Sequence, residues 1–138
     1  MKFEIGTDAR NYISLRTNYL KKLSDNISFL TDLRYADPDY RAPYASNFGE
    51  QSFVANEMGV LTGLIYNEKK LYLSLFTDFY STKRNTFSTN QPVRGIQLFT
   101  DLRLKIGRTD YGFRFNYERK SDSYKSDTIN TKFTIPHD

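Results

Sequence analysis

Leu71-Tyr72-Leu73-Ser74-Leu75-Phe76-Thr77-Asp78-Phe79-Tyr80 is the stretch that decides the fold. Leu71, Leu73, Leu75, Thr77 and Phe79 share one parity; Tyr72, Ser74, Phe76, Asp78 and Tyr80 share the other. A similar split recurs at Ile96–Ile106, where Ile96, Leu98, Leu102, Leu104 and Ile106 alternate with Gln97, Asp101, Arg103 and Lys105. It recurs at Tyr111–Tyr117, where Tyr111, Phe113, Phe115 and Tyr117 alternate with Arg114 and Asn116. A period of two sustained this long means an extended strand with one apolar and one polar face. Here the polar face carries full charges in mid-strand. Strands that are apolar outward and charged inward are the pattern of an outer-membrane β-barrel wall.

Composition agrees with that pattern. The chain has 138 residues, room for one domain over residues 1–138, yet only 38% are hydrophobic. Aromatics make up 16%, with 11 Tyr and 11 Phe, which suits sheets and interfacial girdles. The mean hydropathy of −0.64 excludes a helical membrane protein, since no run reaches the ~20 apolar residues of a spanning helix. There are no cysteines, which removes disulfide scaffolds, thiolate metal sites and thiol nucleophiles. The net charge of +4 fits basic lumen and loop residues, or a nucleic-acid surface. Met1–Gly6 has no apolar signal-peptide core and enters the alternation directly, so either the chain is a mature or cropped segment or the envelope reading fails.

Seven strand candidates follow along the chain. The first runs from Phe3 to about Leu20, with Glu4, Asp8, Arg10 and Arg16 inward and a break possible near Ala9–Asn11. The second is Ile27–Tyr35, with Asp32 and Arg34 inward, and the third is Ser52–Tyr66, with Glu57 inward beside Gly59 and Gly63. Leu71–Tyr80, Ile96–Ile106, Tyr111–Tyr117 and Thr128–Ile135 complete the set. The odd-numbered residues are expected to face outward throughout, including Ile129, Phe133 and Ile135 in the last strand, while the third strand is read with Val54, Met58, Val60, Leu64 and Tyr66 outward. Connections alternate short and long, which is the spacing of tight periplasmic turns and longer external loops. The expected fold is all-β: an antiparallel up-and-down meander of about seven strands, an incomplete or open barrel. Seven strands would place the termini on opposite sides, which points to a missing strand or a divided first one.

Eight charged residues are candidates for the lumen: Asp32, Arg34, Glu57, Asp78, Asp101, Arg103, Arg114 and Glu118. They read either as a ladder of compensating ion pairs or as a charged constriction. The external loops present Arg41, Tyr44, Lys83, Arg84, Lys120 and Lys125, a basic and aromatic mixture that also suits single-stranded nucleic acid. The single histidine, His137, stands in a polar tail, and no phosphate loop, nucleophile elbow or metal motif is present. The expectation is a non-enzyme with no catalytic residues, no cofactor and no metal.

The run Tyr44-Ala45-Ser46-Asn47-Phe48-Gly49-Glu50-Gln51-Ser52, with Asn56-Glu57-Met58-Gly59 and Leu61–Gly63, carries a family resemblance. So do Asp78-Phe79-Tyr80, Pro92-Val93-Arg94-Gly95 and Phe113-Arg114-Phe115-Asn116-Tyr117-Glu118-Arg119-Lys120. These patterns, between about Tyr40 and Asp138, resemble the barrel portion of envelope proteins that carry helix-hairpin-helix repeats ahead of an outer-membrane barrel. The resemblance implies the Gram-negative outer membrane and, through the other domain of such proteins, a link to DNA. The repeats themselves are absent from this sequence, so no DNA-binding residue carries over. The expected function is an outer-membrane barrel segment with a structural or pore role and a polar, charged lumen. Its partners would be outer-membrane lipid and further strands of a larger barrel. The alternatives are a soluble lipocalin or fatty-acid-binding barrel, and an envelope protein that binds DNA or surfaces through its loops.

Overall fold

The computed structural model describes residues 1–40, 56–84, 92–121 and, by backbone alone, 128–134. Its strands are β1 (Lys2–Thr7), β2 (Ile13–Lys22), β3 (Ile27–Ala36), β4 (Glu57–Glu68), β5 (Leu71–Ser81), β6 (Arg94–Ile106), β7 (Thr109–Lys120) and β8 (Thr128–Thr134). All lie in one sheet in chain order, each antiparallel to the next. Among the described residues β1 and β8 make no contact with one another, so the sheet is open.

The segment expected as one long first strand is two, divided at the anticipated Ala9–Asn11 position. Asp8 accepts hydrogen bonds at Oδ1 from the backbone N–H of Arg10 and Tyr12, at 2.9 and 3.0 Å. Asn11 takes the left-handed conformation, φ 65°, which asparagine tolerates better than most residues. Asp8 and Arg10 therefore belong to a turn and not to an inward strand face. The division, one of the two alternatives expected, corrects the count of seven strands and the expectation of opposite-sided termini. With eight strands, the outer ends of β1 and β8 both lie at the short-turn end, and these two edge strands run antiparallel. Lys69-Lys70 and Gly107-Arg108 turn there, and positive φ at Gly107 alone is the type II′ hairpin pattern.

Register shows which side chains share a face. Arg34 lies opposite Gly59, Asp78 opposite Gln97, Asp101 opposite Arg114. The apolar face is odd-numbered in β1, β2, β3, β5 and β7 but even-numbered in β4 and β6, where Val60, Leu64, Leu98 and Leu102 stand. Val54 and Ile135, expected on that face, lie outside the described residues. The two faces are covered in the reverse of a soluble domain. Every large exposed apolar side chain in a strand except Leu20 is on the apolar face, for example Leu64 at 47% and Phe79 at 49%. The charged face holds Asp32 at 3% and Glu57 at 6%.

The charged face is the concave one, because side chains on it meet across an intervening strand. Arg34 of β3 reaches Asp78 of β5, and Tyr80 of β5 reaches Glu118 of β7. Glycines on the strand between make this reach feasible. A Cβ at Gly59 would meet the Arg34 guanidinium, one at Gly63 the Phe76 ring, and one at Gly95 the Tyr80 ring.

Two glycine substitutions separate packing from backbone strain. Gly95→Ala must displace Tyr80 and its bond to Glu118, at a cost of about 1–3 kcal/mol. Gly107→Ala has open space around it and only the positive φ to oppose it, at a cost of about 1–2 kcal/mol. Chemical unfolding of the double variants Gly95→Ala/Tyr80→Ala and Gly107→Ala/Tyr80→Ala checks this. Coupling to Tyr80 is expected for Gly95 only.

Candidate functional site

The charged face is a set of paired groups held by strand register. At the centre Arg34 donates from Nε to Glu57 Oε1 at 2.6 Å and from Nη1 and Nη2 to Asp78 Oδ1 and Oδ2, both at 2.9 Å. The second contact is a bidentate fork, the geometry in which arginine holds a carboxylate most firmly. Toward β1, Arg16 donates to Asp32 at 2.7 Å and Asn18 adds a bond at 3.2 Å. Toward β7, the Tyr80 hydroxyl donates to Glu118 at 2.8 Å, and Lys120 lies 3.0 Å from the same carboxylate. Near the short turns Asp101 takes Arg103 and Arg114, each at 3.0 Å.

All eight residues expected on one charged face are therefore placed on it, and they fall into four groups. Arg34, Glu57 and Asp78 form one; Asp32 joins Arg16; Glu118 joins Tyr80 and Lys120; Asp101, Arg103 and Arg114 form the last. Arg16, expected inward in the first strand, is there as the partner of Asp32, whereas Asn18 and Tyr80 were not among the candidates. Tyr80 could have been found, because the alternation of Leu71–Tyr80 places it on the same parity as Asp78. Among the described residues no three His, Asp or Glu side chains gather in a way that could hold a metal ion.

A second set of contacts ties together the long-loop end. Asp37 accepts from the Tyr35 hydroxyl at 2.6 Å and from the Ile13 N–H at 2.9 Å, bridging the ends of β2 and β3. Asn56, in the left-handed region at φ 55°, accepts at Oδ1 from the N–H groups of Lys83 and Arg84. The loop residues expected to face outward are engaged. Lys83 donates to the Tyr35 hydroxyl at 2.7 Å and sits over its ring, and Arg84 pairs with Asp39 at 2.8 Å. Lys120, expected in an external loop, is the last residue of β7 and pairs with Glu118. Arg41, Tyr44 and Lys125 lie outside the described residues. The two carboxylates of Asp37-Pro38-Asp39 are what fasten this end.

The fold and site define an antiparallel meander with an internally paired charged face, enclosed around Asp32, Arg34, Glu57 and Asp78, and an exposed apolar face. No family model matches the chain, and no curated protein or solved structure is significantly similar to it.

Removing Arg34 leaves two enclosed carboxylates without their cation. Arg34→Ala should destabilise by about 3–5 kcal/mol, whereas Asp78→Asn should cost less because Glu57 remains as a partner. Chemical unfolding of both variants checks the order. At the long-loop end, the Tyr35 hydroxyl and then the Ile13 N–H hold the Asp37 carboxyl below its ordinary range. A carboxyl lowered on folding stabilises above its unfolded value and loses that stabilisation as pH falls toward its folded one. Acid unfolding below about pH 4 should therefore be less steep in Asp37→Asn than in the unaltered chain.

Proposed function

We propose that this chain is a membrane-spanning β-sheet of the outer-membrane type, a barrel wall or segment with a structural role. The observation that carries the reading is the sorting of exposure by face: apolar side chains uncovered, and the central charged side chains Asp32, Arg34, Glu57 and Asp78 enclosed. Lipid is the solvent that favours this arrangement. In water the exposed face would be a large aggregation-prone patch.

Three further features support it. Charges on the apolar face, Lys21, Glu68, Arg94 and Arg119, stand only at or near strand ends. In β6 the apolar-face residues from Ile96 to Ile106 carry no charge, and they span roughly 33 Å at ~3.3 Å per residue, or about 25 Å vertically at a tilt near 40°, the height of a barrel's apolar band. Tyr19, Tyr66 and Tyr111 lie on this face toward the short-turn end, where an interfacial girdle would be. The bacterial outer membrane is the location this reading implies, in line with the resemblance to barrel portions of envelope proteins. Further strands of a larger barrel are possible partners.

A structural role is favoured over a pore because the centre of the concave face pairs its charges and carries bulky Phe76, Phe99 and Tyr80 among them. An eight-stranded barrel has an interior just wide enough for side chains to fill. A lipocalin-type soluble barrel would reverse the faces. Binding of nucleic acid through the loops draws no support from Lys83, Arg84 and Lys120, each of which has a partner within the chain.

Circular dichroism and light scattering of the chain in buffer and in detergent micelles test the reading. A folded β-sheet is expected in micelles and aggregation in buffer; a monomeric, cooperatively melting β-protein in buffer alone would overturn it. In lipid, Leu98→Arg should cost roughly 2–4 kcal/mol if that position lies at the bilayer midplane. In planar bilayers the structural role predicts no sustained conductance, and a stable open channel would favour the pore.

A further inference from the structure

At the short-turn end of the concave face a cavity of about 690 Å³ opens among the ends of β4, β5, β6 and β7. Its wall includes Lys70, Tyr72, Asp101, Arg103, Lys105 and Arg114. The Asp101 carboxylate receives Arg103 through Nε and Nη2, at 3.1 and 3.0 Å, and Arg114 through Nη2 at 3.0 Å. Two guanidinium groups thus converge on a single carboxylate, and one positive charge is left over.

Both arginines keep most of their surface toward solvent, at 63% and 61% exposure, while Asp101 is only 20% exposed. Each guanidinium has five N–H donors, and Asp101 engages only part of them. Arg103 is steadied over the Tyr72 ring at 5.3 Å, and its neighbour across the sheet is Gly112, which adds no side chain to crowd it. The lysines of the same wall exceed what Glu68 and Asp110 can balance.

Elsewhere on the concave face the balance is different. Arg34 faces two carboxylates, Arg16 faces one, and Lys120 is matched to Glu118. The positive surplus is therefore local to this mouth and is not spread over the face. A solvated ion pair needs one cation for one anion, and a second arginine aimed at the same carboxylate is unexplained by that role alone.

We propose that this mouth binds a phosphate-bearing anion between Arg103 and Arg114, with Asp101 holding the two guanidinium groups together when the site is empty. A phosphate offers several strong acceptor oxygens and up to two negative charges, which suits two arginine forks better than a single carboxylate does. Asp101 competes with the ligand for the same donors while it keeps them converged. The site lies on the concave face and does not depend on what covers the opposite one.

The test uses the full chain in whichever medium, buffer or zwitterionic micelles, circular dichroism shows it folded. Inorganic pyrophosphate is titrated by calorimetry or by NMR shifts of the arginine Nε–H groups. Saturable binding is expected, weakened about tenfold by Arg103→Gln or Arg114→Gln and lost in the double variant. Asp101→Asn should tighten binding several-fold by removing the competitor. Arg84→Gln, at the long-loop end, is a charge-matched control and should leave binding unchanged. The proposal is overturned if folded chain shows no saturable binding, or if Arg84→Gln weakens it as much as Arg103→Gln. Association with phosphatidylglycerol vesicles without any response to pyrophosphate would also overturn it, in favour of a lipid headgroup.

Discussion

Arg34 spans Gly59 to grip Asp78 two strands away while its Nε holds Glu57, and much of the sheet depends on that grip. A flat sheet keeps alternate strands too far apart for such a bond, since neighbouring strands already lie about 4.8 Å apart. Curvature toward the charged face brings the groups within reach, and the absence of a side chain at Gly59 leaves room for the guanidinium. Tyr80 repeats the device over Gly95 to reach Glu118. Enclosing charges has a desolvation cost that only close pairing offsets. The apolar side chains are left with nowhere to go but the convex surface.

The same constraint orders the reading of function. A concave face occupied by ion pairs and aromatic rings cannot also be a hydrophobic core, so the sheet has none of the usual kind. Ala36, Tyr40, Tyr80 and Val93 are the buried hydrophobic residues among those described, and all four lie at strand ends or outside the strands. Stability must come from backbone pairing, from the charge network and from whatever solvent covers the convex face. In the membrane reading proposed above, lipid would fulfil the last role, so that proposal rests on energetics as well as on pattern. The long-loop end is closed by Asp37 and Asn56, and the short-turn end stays open around Arg103 and Arg114.

Much of this was legible in the sequence, and the parts that were not have identifiable causes. Strands β5, β6 and β7 could be read because their period of two is long, and the β6–β7 hairpin fixes the register of that pair. The break between β1 and β2 could be placed at Ala9–Asn11 but was not required by the pattern, because the turn preserves parity: Ile5 and Ile13 fall on the same face with or without it. Asp8 and Asn11 were the available signal. The even-numbered apolar face of β6 shows in its own alternation, but the registers across the long β3–β4 and β5–β6 connections are set by loop length, and no local pattern reports them. For the same reason the partner of Arg34 could not be read: Asp78 is forty-four residues away, beyond a long loop. Asp101 and Arg103, two residues apart on one strand, share a face by the alternation alone.

The central claim is that the convex face meets lipid and the concave face does not. With no native cysteine, single cysteines can be placed at each position from Leu71 to Tyr80 and spin-labelled. Electron paramagnetic resonance in lipid vesicles then measures collisions with oxygen, which partitions into lipid, and with a water-soluble nickel complex. The account predicts a period of two, with labels at Leu73, Leu75, Thr77 and Phe79 favouring oxygen and labels at Ser74, Phe76 and Asp78 not. The same accessibility at every position, or a preference for the nickel complex at Leu73 and Leu75, would contradict it.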